Sequence, residues 1–342
     1  MKTLMKAAQI TKYSKKIHAH VNDIPIPEID DNEVLVKVKA AAVNPLEMLV
    51  ITGSVKLIQD YEFPLTIGNE LAGVIEKAGK NVTDFHVGDD IYTRLPLKKI
   101  GAFAEYAAID AAAIDAAAIA PMPKNLSYVE AAAAALTGLT AYQGLHEELE
   151  AQPGKSVFIP GGSGSFGQMG VPIAKAMGLN VIVSGNSQAR ERTLEIGANQ
   201  YLDYIKENYV DLLSNVDYVI DTLGAKEFDN ELKIIKPGGR LLSLRTGPNK
   251  RFAEDKNFPW WKQKLFSAVG AKYDNKAKKH DVEYRFMFVR SDGAQLKEIT
   301  KIIEKNNIVP PIYPTLFSIG NVNEALELVA NGRPKGKVII NF

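Results

Sequence analysis

The chain has 342 residues, enough for two domains with well-buried cores, and an ordinary globular composition of 46% hydrophobic and 24% charged residues. A formal net charge of +1 gives no electrostatic reason to expect nucleic acid or an anionic membrane surface as partner, and no interleaved basic–aromatic patch stands out. The chain contains no cysteine, which excludes disulfides, thiolate nucleophiles, iron–sulfur clusters and Cys-ligated zinc. Only His18 and His20 are close together among the five histidines. Lacking a carboxylate cluster, they read as surface residues, and no metal is expected. The opening stretch has no apolar run of signal length and no later run would span a bilayer, so a cytosolic protein is expected.

Short strands and turns come first. Val34–Ala40 (VLVKVKA) alternates as a half-buried strand should. Leu71–Lys77 and Asp90–Thr93 follow the same logic, between Gly-, Asn- and Asp-bearing turns. Within 107–119 the tandem AAAID shifts register by an odd number, so it predicts a bulge or loop rather than a longer strand. Tyr128–Gly144 reads as an Ala-rich helix.

From Lys155 the pattern becomes strand–helix alternation. Strand Ser156–Ile159 meets a Gly-rich turn and a helix near Gln168–Met177. Strand Asn180–Ser184 and helix Arg190–Ile196 follow, then strand Val216–Thr222. Lys236–Gly239 (KPGG) reads as a turn before strand Arg240–Arg245. Such alternation predicts an α/β fold with a doubly wound parallel sheet. A helix over Val322–Ala330 and a strand over Lys337–Phe342 close the chain, the strand fitting best back in the β-rich part. The expected domains are 1–125 rejoined by 310–342, and 126–309.

Gly162-Ser163-Gly164-Ser165-Phe166-Gly167 is a full G-x-G-x-x-G between strand and helix. Its first glycine allows the tight turn, the second close approach of a pyrophosphate, and the third close helix packing, with the helix N-terminus facing the anion. With strand, motif, helix and second strand in the required order, it reads as a dinucleotide site. An NAD-preferring site carries Asp or Glu about 20 residues on. Here Val183–Arg192 (VSGNSQARER) offers no carboxylate before Glu191, but hydroxyls, amides and the pair Arg190 and Arg192, which suit a 2′-phosphate. NADP(H) is the expected cofactor; a solvated helix face is the other reading of the two arginines.

The whole pattern resembles the medium-chain dehydrogenase/reductase superfamily, and specifically its zinc-independent quinone oxidoreductase branch. The segments that carry the resemblance are Ala42–Pro45 (AVNP), Gly68–Ile75 (GNELAGVI), Val87–Asp89 (VGD), Gly101–Tyr106 (GAFAEY), Leu136–Tyr142 (LTGLTAY) and Lys335–Val338 (KGKV). Together they cover almost the whole chain. The resemblance implies a GroES-like β-rich substrate domain joined to a Rossmann NADP-binding domain. Zinc alcohol dehydrogenases carry Cys near Asn44 and His where this chain has Asn69, and their Cys-rich lobe is absent before Gly101. Without a metal to stabilise a localised alkoxide, hydride addition to an enone or quinone, which spreads the charge, fits better than ketone reduction.

By resemblance, Asn44 lies beside the nicotinamide and could donate to the substrate carbonyl, or it could cap the turn before Pro45. Thr137 lines the nicotinamide pocket or packs on its helix. Gly185, Ser187 and Tyr204 fall where similar enzymes meet the adenosine 2′-phosphate, although Tyr204 could be packing. Glu70 reads as structural. Leu49 stands where many quinone reductases have Tyr, so the pocket should be more apolar. Tyr284–Val289 reads as a buried strand or a pocket border. The implied function is NADPH-dependent, metal-free hydride transfer to quinones or activated α,β-unsaturated carbonyls by a homodimer. A 2-alkenal or enoyl reductase, and an NADPH-binding regulatory protein with little turnover, are the alternatives. The expected partner is a small-molecule quinone or enone, with no nucleic acid and no membrane.

Overall fold

The strand Glu33–Val43 organises the β-rich part of the chain, and residues 3–112, 117–332 and 334–342 are described in a computed structural model. One edge of this strand pairs antiparallel with Glu70–Ala78. The other edge is shared: Glu33–Lys37 pair with Tyr106–Asp110, and Ala40–Val43 pair with the final strand Lys337–Asn341. With both edges taken and the apolar core over it, nine of its eleven residues are buried, not the alternate ones that its sequence pattern predicts. The sheet has seven strands, Ile312–Phe317 lying outside the final strand and Asp90–Arg94 and Ile119–Pro121 beyond Glu70–Ala78. A three-stranded sheet with Leu4–Ile10 at its centre adds to this unit.

The duplicated AAAID segment falls partly outside the described residues, at 113–116. Its flanks Tyr106–Asp110 and Ile119–Pro121 pair with different strands.

The chain divides into two compact units, 1–139 with 290–342, and 140–289. The helix Tyr128–Gln143 runs across the first boundary and the helix Gly293–Asn306 lies in the first unit. The second unit holds six parallel strands in the order Gln200–Asp203, Asn180–Gly185, Ser156–Ile159, Val216–Asp221, Ile235–Ser243 and Glu283–Phe286. Strand order reverses between Ser156–Ile159 and Val216–Asp221, the switch point at which doubly wound sheets bind ligands. Lys236–Gly239 does not precede its strand as a turn but lies inside Ile235–Ser243, where the register shifts and Gly238 takes φ 76°. The twenty-residue helix Trp260–Lys279 had no clear sequence signal, because its apolar face is narrow and interrupted by glycine and lysine.

The Gly-rich turn follows the strand Ser156–Ile159 and opens the helix Ser165–Ala176. A Cβ on Gly167 would lie 1.6 Å from the Gly162 carbonyl oxygen, whereas one on Gly164 would meet only the Gly161 oxygen, at 3.4 Å. Gly167→Ala should therefore destabilise the protein by about 1–3 kcal/mol through overpacking. Gly164→Ala should leave stability near the unmodified value, and denaturant titration of the two variants checks the contrast.

Candidate functional site

The second unit presents its G-x-G-x-x-G turn at the switch point. The positive φ sits one residue ahead of the motif, at Gly161 (66°). There a Cβ would press on Leu223 and Thr222 of the neighbouring strand end. Thr222 Oγ1 donates to the Pro160 carbonyl at 2.6 Å and ties the two strand ends together. The turn uses the Gly162 and Gly164 amides internally, on the Ile159 and Gly161 carbonyls. Gly164 is the helix N-cap and no side chain caps the first turn, so the Ser165, Phe166 and Gly167 amides belong to an uncapped N-terminus of the kind that binds anions. The uncrowded space beside Gly164 would admit close approach of a pyrophosphate.

The end of the neighbouring strand leans on this turn. Gly185 has no room for a side chain: a Cβ would lie 2.3 Å from the Tyr201 hydroxyl and 2.4 Å from Ser163 Oγ. Tyr201 donates to the Asn186 carbonyl at 2.5 Å, and the Arg190 guanidinium lies 5.9 Å over its ring. Arg192 reaches the Ser163 carbonyl at 3.5 Å, and its buried Nε has no hydrogen-bond partner. Arg190 pairs loosely with Glu207, at 3.7 Å. Ser187 and Tyr204 are exposed. The sequence-predicted 2′-phosphate residues thus surround one strand end, with donors and positive charge to offer. These residues fit a dinucleotide.

The first unit contains a buried polar cluster, and its centre is a residue that the sequence reading did not single out. The final strand pairs with Ala40–Val43, just before Asn44, and so carries the Lys337 ammonium inward. Lys337 Nζ lies 2.6 Å from Glu70 Oε1, 2.6 Å from Asn44 Oδ1 and 3.3 Å from Thr137 Oγ1. Glu70 Oε1 also accepts from Asn44 Nδ2 at 2.9 Å, and Oε2 accepts from the Leu136 backbone amide at 2.6 Å. Glu70 is fully buried, while Lys337, Asn44 and Thr137 keep 8%, 4% and 7% of their surface.

The structure brings Asn44 and Thr137 together around Lys337, and Asn44 is also the N-cap residue of the helix Pro45–Ile51. Both Asn44 amide hydrogens are spent, on Glu70 Oε1 and the Ala42 carbonyl at 3.3 Å. Lys337 adds a cationic donor to the cluster, on Asn44 Oδ1 and Thr137 Oγ1. The signal for it was present in the Lys335–Val338 segment, but an isolated sequence does not show that strand pairing turns Lys337 toward Glu70 rather than solvent.

A second carboxyl lies behind the first. Glu47 Oε2 accepts from the Asn44 backbone amide at 2.6 Å and Oε1 from Asn69 Nδ2 at 2.7 Å. Burial outweighs these bonds and pushes the Glu47 carboxyl up to about 7. Nearby Arg94 donates through Nη1 to the Leu95 carbonyl at 2.6 Å, while its Nε and Nη2 have no hydrogen-bond partner. Burial lowers its guanidinium to about 10. Asn69, where zinc alcohol dehydrogenases place a ligand histidine, holds a carboxyl instead. Among the described residues no three His, Cys, Asp or Glu side chains converge.

Residues 30–120 match the family model described as alcohol dehydrogenase GroES-like domain, and residues 196–340 match that described as zinc-binding dehydrogenase. The chain is 31% identical to a 2-methylene-furan-3-one reductase of Solanum lycopersicum, the match covering 98% of this chain and 79% of that protein. It is 29% identical to the chloroplastic NADPH-dependent alkenal/one oxidoreductase of Arabidopsis thaliana, across 93% and 74%. Among solved structures it is similar to the quinone oxidoreductase from Coxiella burnetii, with a TM-score of 0.80 and 23% identity over 99% of this chain and 100% of that one.

The raised Glu47 pKa has a signed consequence. A carboxyl that holds its proton more tightly when folded stabilises fully below its unfolded value near 4.5, and that stability is lost as pH rises through about 7. Relative to Glu47→Gln, the unmodified protein should lose stability across this interval. Urea midpoints of both proteins at several pH values check it, and parallel profiles would show that Glu47 does not titrate there.

Proposed function

The chain belongs to the medium-chain dehydrogenase/reductase superfamily, with quinone and alkenal oxidoreductases among its relatives, and from that premise we propose that it reduces quinones or activated α,β-unsaturated carbonyls with NADPH. The observation that carries the reading is the Lys337 ammonium, held with Asn44 and Thr137 on a buried carboxylate. A fixed positive charge in a water-poor site stabilises an oxyanion whose charge is already delocalised.

Reduced nicotinamide, when bound, supplies the hydride. The amides opening the helix Ser165–Ala176 bind its pyrophosphate, and Gly164 lets the backbone come close. Arg190, Arg192, Ser187 and Tyr204 hold the 2′-phosphate. Glu70 orients the cation: it accepts from Lys337 and Asn44 and keeps the ammonium aimed among its partners. Lys337 polarises the acceptor oxygen, and Thr137, which accepts from Lys337, retains its own hydrogen for that oxygen.

Two features favour enones and enals over quinones. The two relatives above whose matches span nearly the whole chain are named for enone substrates, and Leu49, where many quinone reductases have Tyr, is exposed rather than packed in the core. The reading extends to a cytosolic homodimer joined through Glu283–Phe286, which ends its sheet and pairs on one side only. Among the described residues no helix is long and apolar enough to cross a membrane.

Steady-state NADPH oxidation with a panel of enals, enones and quinones tests the activity. Turnover with the conjugated carbonyls is expected, and binding of NADPH without turnover of any acceptor would favour a regulatory role instead. Lys337→Met should lower kcat for enone reduction roughly a hundredfold, measured on protein shown to be folded by circular dichroism; a near-normal kcat would make the ammonium structural only. NADPH should bind more tightly than NADH, and replacing Arg190 and Arg192 by Ala should narrow the gap, since each charge-assisted contact contributes about 1.5–3 kcal/mol. Gly164→Val should weaken NADPH binding more than about tenfold while leaving the fold intact. Unchanged affinity by fluorescence titration would place the cofactor elsewhere.

A further inference from the structure

The helix Trp260–Lys279 has one face seated on its unit and one face that is unusual for a protein surface. Phe266, Gly270, Tyr273 and Ala277 are buried, and Gly270 sits so close to Asn249 that a Cβ would lie 2.4 Å from its Cα. On the outer face Trp261, Leu265 and Val269 follow one another at four-residue spacing, which aligns them in a single stripe. They are 47%, 38% and 45% exposed, and Trp260 beside them is 70% exposed. Lysines are interleaved with the tryptophans: Lys264 Nζ lies 5.1 Å over the Trp260 ring and Lys262 Nζ 5.5 Å over that of Trp261. The whole-chain charge concealed this patch. Between Lys250 and Lys279 nine lysines and arginines face three aspartates and glutamates, so the rest of a chain of net charge +1 is net acidic.

We propose that this face docks the protein on an anionic lipid surface. Tryptophan prefers the boundary between headgroups and acyl chains. A helix with tryptophan and aliphatic residues on one face and lysines flanking them lies in that boundary, drawn there by anionic headgroups. A second copy fits less well, because it would bring two basic faces together. RNA fits less well too, since Leu265 and Val269 offer nothing to a base or phosphate. The inference does not depend on the proposed activity.

Trp260 and Trp261 are the only tryptophans in the chain, so tryptophan emission reports on this face alone. The full-length protein is mixed with vesicles of phosphatidylcholine, or of phosphatidylcholine with phosphatidylserine, and followed by emission and by co-sedimentation. The expected result is a blue shift, quenching by brominated lipid, and binding to the anionic vesicles roughly tenfold tighter than to the zwitterionic ones. High salt, Leu265→Glu with Val269→Glu, or Lys262→Glu with Lys264→Glu should each abolish it, with circular dichroism as the control for folding. Absent binding to anionic vesicles, or binding that the variants leave unchanged, overturns the proposal. So does a blue shift that follows protein concentration without lipid and vanishes in the Leu265→Glu variant, which assigns the face to a second copy. A shift produced by single-stranded RNA but not by vesicles overturns it equally.

Discussion

A carboxyl removed from water must find hydrogen-bond and charge partners, or its burial is strongly destabilising. Glu70 meets this condition through one ammonium, one side-chain amide and one backbone amide. Stripping the partner from such a buried pair costs about 3–5 kcal/mol, so the arrangement fixes more than the site. It sets the register of the final strand on Ala40–Val43, because a slip by one residue would turn Lys337 to the opposite face. It also fixes Asn44, which in turn anchors Glu47 at the start of the following helix.

The second unit depends on a different constraint, which is space rather than charge. Gly161, Gly162, Gly167 and Gly185 each sit where a side chain would collide with backbone or with a neighbouring side chain. Gly164 alone in the turn faces no crowding. Three glycines of the motif region therefore build the turn, and one leaves it open. Arg192, pointing at the Ser163 carbonyl, joins the strand end to that opening.

Much of this was legible beforehand, and the reason differs from element to element. The parallel strands were visible as short apolar runs between Gly-rich turns, and the G-x-G-x-x-G turn through its position between strand and helix. The return of the final strand to the β-rich unit was also foreseen, and its antiparallel pairing with Ala40–Val43 agrees. Lys337 was not, because its meaning lies in a contact with Asn44 across 293 residues, which no local pattern encodes. Glu47 was invisible for a similar reason: a glutamate two residues after Pro45 looks like an ordinary first-turn acid until burial is known. The long helix Trp260–Lys279 was missed because its seated face uses Gly270 and Ala277 where a strong amphipathic pattern would have larger residues. A charge sum over the whole chain then averaged its basic face away.

That separation of 293 residues also bears on how the protein is made. Chains emerge from the ribosome at roughly 5–20 residues per second and fold domain by domain as they do. The strand Glu33–Val43 and the Glu70 carboxylate are synthesised early, yet their edge partner and counter-ion come only with Lys337–Asn341. Between those moments the second unit, 140–289, can form its parallel sheet while the first still exposes an unpaired strand edge and an uncompensated acid. The Glu70 carboxyl thus gains its Lys337 partner only once the last strand is laid down, and a nascent chain stalled before residue 337 leaves that group without it.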